Sequence, residues 1–176
     1  NMINLGRRKI LFIFFLSIFS FVCNANENQI NFIKIINDSR AGFSSNYNDL
    51  KINKILLDRN DLLCGTTPQI INNWKGKIKE ITTNMEGKGI LSVIIDKGIF
   101  IQTWNNAFSD LFDNTLIETD SKVYTQLLDL NKGDSILFSG NFIENSSECF
   151  GTQNLTNKSK ISKPEFTFIF TNILKN

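Results

Sequence analysis

Residues 122–143 read KVYTQLLDLNKGDSILFSGNFI, and this stretch decides the fold. Val123, Leu127 and Leu130 fall on one side of a helical turn, which predicts a short helix over residues 122–130. Lys132-Gly133-Asp134 predicts a tight turn, and residues 135–143 a strand. Upstream, Trp74, Gly76, Ile78 and Glu80 alternate with Lys75, Lys77 and Lys79, the pattern of a strand with a lysine-rich outer edge. Residues 84–89 hold two glycines and predict a hairpin turn into a β-rich run over 90–95. Asp96-Lys97-Gly98 turns that run into a third strand over 99–104. Downstream of a polar stretch at 144–163, residues 165–173 place Phe166, Phe168 and Phe170 on one face, and Thr167, Ile169 and Thr171 on the other. Five strands with one short helix between the third and fourth is the order of the OB-fold, a small five-stranded β-barrel. A small sandwich with the same number of strands is the alternative. The expected fold class is therefore mainly β with N-terminal helices, the OB-like barrel occupying residues 70–176.

Residues 26–63 show no strand alternation, and a helical arm is expected over 26–66. Ile33, Ile36, Phe43, Tyr47, Leu50 and Leu57 recur at spacings of three, four and seven, one stripe of a helix. Gly42, Ser44, Ser45 and Asn46 interrupt it. Two short helices or one kinked helix are expected, the second capped near Asn46 and ending at Gly65 with Pro68 just beyond. A single apolar face has to pack on something. The barrel is the simplest choice, and a partner the alternative.

The first 25 residues read as a signal peptide. Arg7, Arg8 and Lys9 precede an apolar run from Ile10 to Cys23, and Cys23-Asn24-Ala25 offers small side chains for cleavage after Ala25. The run falls short of the roughly 20 residues a spanning helix needs, so membrane contact is expected only before the signal is removed. Of 19 Lys+Arg, three leave with residues 1–25 and no acid does, so 16 cations face 17 anions, a net charge of −1. Proteins that grip polyanions carry a basic excess, so nucleic acid is a disfavoured partner. Cys64 and Cys149 remain, an even pair suited to an oxidising compartment. A disulfide between them is expected, with two unrelated buried thiols as the alternative.

Several short motifs run the length of the chain. They are Asn48-Asp49-Leu50, Leu63-Cys64, Trp74-Lys75-Gly76, Thr103-Trp104-Asn105-Asn106, Phe108-Ser109-Asp110, Asp113-Asn114-Thr115-Leu116-Ile117, Gly133-Asp134, Phe138-Ser139-Gly140 and Pro164-Glu165-Phe166. Together they resemble a family of exported proteobacterial proteins that has no assigned activity. The resemblance implies export and a paired Cys64–Cys149, and it implies no chemistry.

Residues 103–120 are the most unusual segment. Trp104, Asn105 and Asn106, then Asp110, Asp113, Asn114, Glu118 and Asp120, are too polar and irregular for a core element. The oxygen ligands suit calcium, but the alternating ligands and central glycine of the 12-residue calcium loop are missing. A catalytic pair of Asp110 and Asp113 lacks any sign of a substrate cleft. A structural crossover is favoured, in which Asn105-Asn106 turns the chain and Asp110 or Asp113 caps a helical turn. Trp74 and Trp104 raise base stacking, with Lys75, Lys77 and Lys79 as the cations; packing of both rings in the barrel competes with it. With no histidine, no Gly-x-Ser-x-Gly elbow and no phosphate-cradling glycine loop, neither a metal site nor a cofactor nor an enzymatic activity is expected. The favoured reading is a periplasmic or secreted, non-enzymatic binding protein. Its partner would be a protein, peptide or glycan, met at Trp74, Trp104, Asn105, Asn106, Asp110 and Asp113. A single-stranded nucleic-acid binder of the cell envelope is second, and a hydrolase without a recognisable motif third.

Overall fold

A computed structural model describes residues 24–145 and 147–176. The signal peptide expected over residues 1–25 lies, apart from its last two positions, outside the described residues.

Two helices, α1 (Asn24–Ala41) and α2 (Asp49–Thr66), precede the barrel. Strands β1 (Ile70–Thr83), β2 (Gly89–Asp96) and β3 (Ile99–Gln102) follow. Next come helix α3 (Lys122–Leu127), strand β4 (Ser135–Phe142), helix α4 (Asn157–Ser162) and strand β5 (Glu165–Lys175). The strands close in the order β1-β2-β3-β5-β4, with β3 and β5 parallel and every other pair antiparallel. This is a closed five-stranded OB-like barrel with α3 between the third and fourth strands.

The alternation in β1 fails where the sequence gives no sign of it. Trp74 and Ile78 point inward as the two-residue period requires. A register shift between Ile78 and Glu80 then turns Glu80 to solvent and brings Ile81 against the core. The extra residue of such a bulge reverses the faces beyond it. Two glycines allow close approach. A Cβ on Gly76 would collide with Val93 Cγ1, and one on Gly140 with the Ile169 carbonyl oxygen.

The helical stripe read from sequence needs correction. Leu50 and Leu57 lie on the solvent face of α2, and the buried face is Ile52, Leu56, Arg59 and Leu63. The N-cap is Asn48, whose Oδ1 accepts the Lys51 N–H at 3.0 Å, two residues past the expected Asn46. The spacing rule follows periodicity alone, and both faces of α2 carry leucines at helical intervals. On α1, Phe32, Ile35 and Ile36 are buried. Phe32 enters one end of the barrel, its ring 5.1 Å from both Trp74 and Phe166 and 5.4 Å from Phe142. Gln29 exchanges two hydrogen bonds with the Lys75 backbone, donating at 2.6 Å and accepting at 2.9 Å. Arg40 donates to the carbonyls of Lys97 and Gly98 in the β2–β3 turn. Helix α1 is thus latched at both ends and plugs the barrel. Val123 and Leu127 of α3 join the core near the far end of β1.

Cys64 and Cys149 form the disulfide, with Cα atoms 5.8 Å apart. It joins the last turn of α2 to the loop between β4 and β5. That loop carries α4, a helix absent from the sequence reading of residues 144–163 as a plain polar stretch. Six residues with one buried apolar side chain, Ile161, show too little periodicity to declare themselves.

Candidate functional site

The segment between β3 and α3 is held from below by hydrogen bonds and shows an apolar face above. Its entry is fixed at Thr103, whose N–H donates to the Leu91 carbonyl at 3.0 Å and whose hydroxyl accepts the Leu91 N–H at 3.2 Å. The Trp104 N–H donates to the Thr115 hydroxyl at 2.8 Å, and its indole Nε1 donates to Asp113 Oδ2 at 2.6 Å. Asn106 Oδ1 accepts the Ser109 N–H at 2.8 Å, a local turn in which the asparagine side chain bonds the backbone just ahead of it. Asp110 is buried. Its Oδ1 accepts the Thr115 N–H at 2.6 Å and the Thr115 hydroxyl at 2.7 Å, and its Oδ2 accepts the Leu116 N–H at 3.1 Å. Buried donors in an irregular loop need such acceptors, and one carboxylate serves three of them. The exit is fixed where Gly89 and Ile117 exchange backbone bonds of 2.7 and 2.9 Å, beside a Lys88–Glu118 ion pair.

With both ends and the middle anchored, residues 106–114 form irregular helical turns. Phe108, Leu111 and Phe112 stand three and four residues apart and share the outward side of these turns. They are 89 %, 63 % and 88 % exposed. Asn105, Asn106 and Ala107 flank them, also exposed. This exposed apolar patch stands on a segment that Asp110, Asp113 and Thr115 brace from beneath.

The residues singled out by sequence separate into two groups. Trp104, Asn105, Asn106, Asp110 and Asp113 all belong to this segment. Trp104, Asp110 and Asp113 brace it, and the asparagines stand at its surface. Trp74 belongs elsewhere: it is 1 % exposed, packed against Phe32 and Phe142 inside the barrel, and offers no ring to a ligand. Asp110 does accept backbone N–H groups, but from residues 115–116 beyond the turns rather than from a helical turn. The three apolar residues at the tip were not singled out. Their signal was present as large apolar side chains at 108, 111 and 112, at helical spacing in a segment otherwise too polar to be buried.

On the barrel wall, where OB-folds commonly take ligands along strands two and three, the one aromatic is Phe100. It is buried under two lysines, with Lys79 Nζ 4.2 Å and Lys163 Nζ 5.1 Å from its ring centre. The lysines use their charge on the ring face and their stems as a cover. Next to it, Gln102 bonds Ser92 at 2.9 Å and Gln153 at 3.1 Å, which closes that face with polar contacts. Among the described residues no three histidine, cysteine or acidic side chains converge on one point.

No family model, curated protein or solved structure matches this chain.

Proposed function

We propose that this is an exported, non-enzymatic interaction protein that docks on a protein partner through the tip at Phe108, Leu111 and Phe112. The observation that carries the reading is the pairing of an exposed aromatic tip with a base braced through Trp104, Asp110 and Thr115. A braced backbone lowers the ordering cost of binding, and aromatic anchors carry much of the energy of protein interfaces. A protein groove is favoured over a glycan because none of the three anchor side chains has a hydrogen-bonding group. It is favoured over single-stranded nucleic acid because no basic excess accompanies the exposed rings: the net charge without residues 1–25 is −1. The disulfide supports the exported reading, since such bonds persist in oxidising compartments.

The test is photo-crosslinking in intact cells from a reactive amino acid at Asn105, with and without Phe108→Ala/Phe112→Ala. A discrete adduct is expected in the parent and at least ten-fold less of it in the double variant. The melting temperature should stay within about 1 °C, as for surface positions. An adduct of undiminished yield in the double variant sinks the proposal, and so does tight, salt-dependent shifting of a single-stranded oligonucleotide on a gel.

A further inference from the structure

A concave apolar surface adjoins the segment that carries the tip. Between α3 and the ends of β1 and β2 runs a groove of about 240 Å³, walled by Ile81, Tyr124, Leu127 and Leu130. Leu128, 69 % exposed, stands on its lip. The β1–β2 turn that follows Thr83 of the groove carries Met85, which is fully exposed. A cavity of about 150 Å³ with walls of this kind takes a benzene ring, so the groove has room for one phenylalanine side chain. Gly89 lines the groove and exchanges backbone bonds with Ile117, where the segment bearing Phe108, Leu111 and Phe112 rejoins the barrel. Exposed anchor and concave slot therefore meet at the Gly89–Ile117 bridge.

Resting on the docking reading above, we propose that the partner is a second copy of this chain. Each copy seats Phe108 or Phe112 in the other's groove about a two-fold axis. A two-fold interface needs one self-complementary patch, and anchor and slot side by side make one. Area separates this pairing from a single docking. An aromatic side chain buries about 150–250 Å², so the tip offers about 400–500 Å² and one tip in one groove covers about 800–1,000 Å² in all. That falls short of the roughly 1,200–2,000 Å² of a stable interface, and the reciprocal pair, at about 1,600–2,000 Å², reaches it. Charge does not oppose the pairing. Beside the bridge Lys88 and Glu118 already neutralise each other at 2.6 Å, and the net charge without residues 1–25 is only −1.

Sedimentation equilibrium of the purified protein is the test. The parent should double in mass with a Kd of about 1–10 µM. Phe108→Ala/Phe112→Ala should weaken association at least about 100-fold, and so should Leu128→Arg, which sets a charged side chain on the lip of the groove. At a tenth of the parent Kd both variants should melt with the parent, since all three positions are exposed. Mixing the two variants restores one matched contact, the tip of the Leu128→Arg chain in the groove of the tip variant. In ¹H–¹⁵N spectra at millimolar concentration, the Ile81 and Leu127 amide signals of labelled tip variant should shift saturably with unlabelled Leu128→Arg chain. Unlabelled tip variant should leave them in place. A parent that stays monomeric at about 100 µM overturns the inference, as does a dimer that survives in either variant or a mixture that moves neither signal. The docking reading fails separately. It falls if the cellular adduct is undiminished in the tip variant, and it stands if a monomeric parent still gives a tip-dependent adduct with a different protein.

Discussion

Asp110 illustrates how much one side chain can organise. Removing its carboxylate strands the N–H groups of Thr115 and Leu116 in a buried loop. Asp110→Ala is therefore expected to cost about 2–4 kcal/mol in urea unfolding, because each buried unsatisfied donor costs about 1–3 kcal/mol. Asp110→Asn keeps one acceptor oxygen and should lose about half of that. Asp134 gives a residue-level effect that depends on pH. It accepts the Asn131 N–H at 3.0 Å and lies near Lys175, and these hold its carboxyl below the ordinary value of 3.8. A depressed folded-state value adds stability that is present above the ordinary value and lost as pH falls through the folded one. Asp134→Asn should therefore melt closer to the parent at about pH 3 than at about pH 6. An unchanged gap between the two melting curves would remove the argument.

Among the elements, α1 has the most to reveal about stability, because it contributes Phe32 to a barrel formed by residues more than 35 positions further on. Phe32→Ala empties a site bounded by Trp74, Phe142, Phe150 and Phe166, and should cost about 3–5 kcal/mol. The strands are legible in the sequence because each is bounded by a turn signal, such as Lys132-Gly133-Asp134, and because Phe166, Phe168 and Phe170 keep the two-residue period. Helix α2 is legible only as a helix. Its leucines lie all round it, so the face that packs is settled by Arg59 and Leu63 meeting α4 and the core, contacts no local pattern encodes. The bulge at Ile78–Glu80 and the six-residue α4 are hidden for the same reason. At the site, the polar residues were readable because a run of Asn and Asp is conspicuous. The division between bracing Asp110 and displayed Phe108 depends on which way the turn faces.

At the scale of the whole molecule, the Cys64–Cys149 bond closes a separation of 85 residues and clamps the helical pair to the β4–β5 loop. The chain-entropy relation assigns a loop of that size about 4–5 kcal/mol. Cys64→Ser/Cys149→Ser, or the parent in reductant, should lose stability of that order in guanidinium unfolding; a loss under about 1 kcal/mol would show the arm held by packing alone. The ring of strands carries a different consequence. Among the described residues, a sheet joined to itself has no terminal strand, the usual place for another chain to zip onto. The barrel therefore gives crowded copies of the protein no end strand from which to extend a shared sheet.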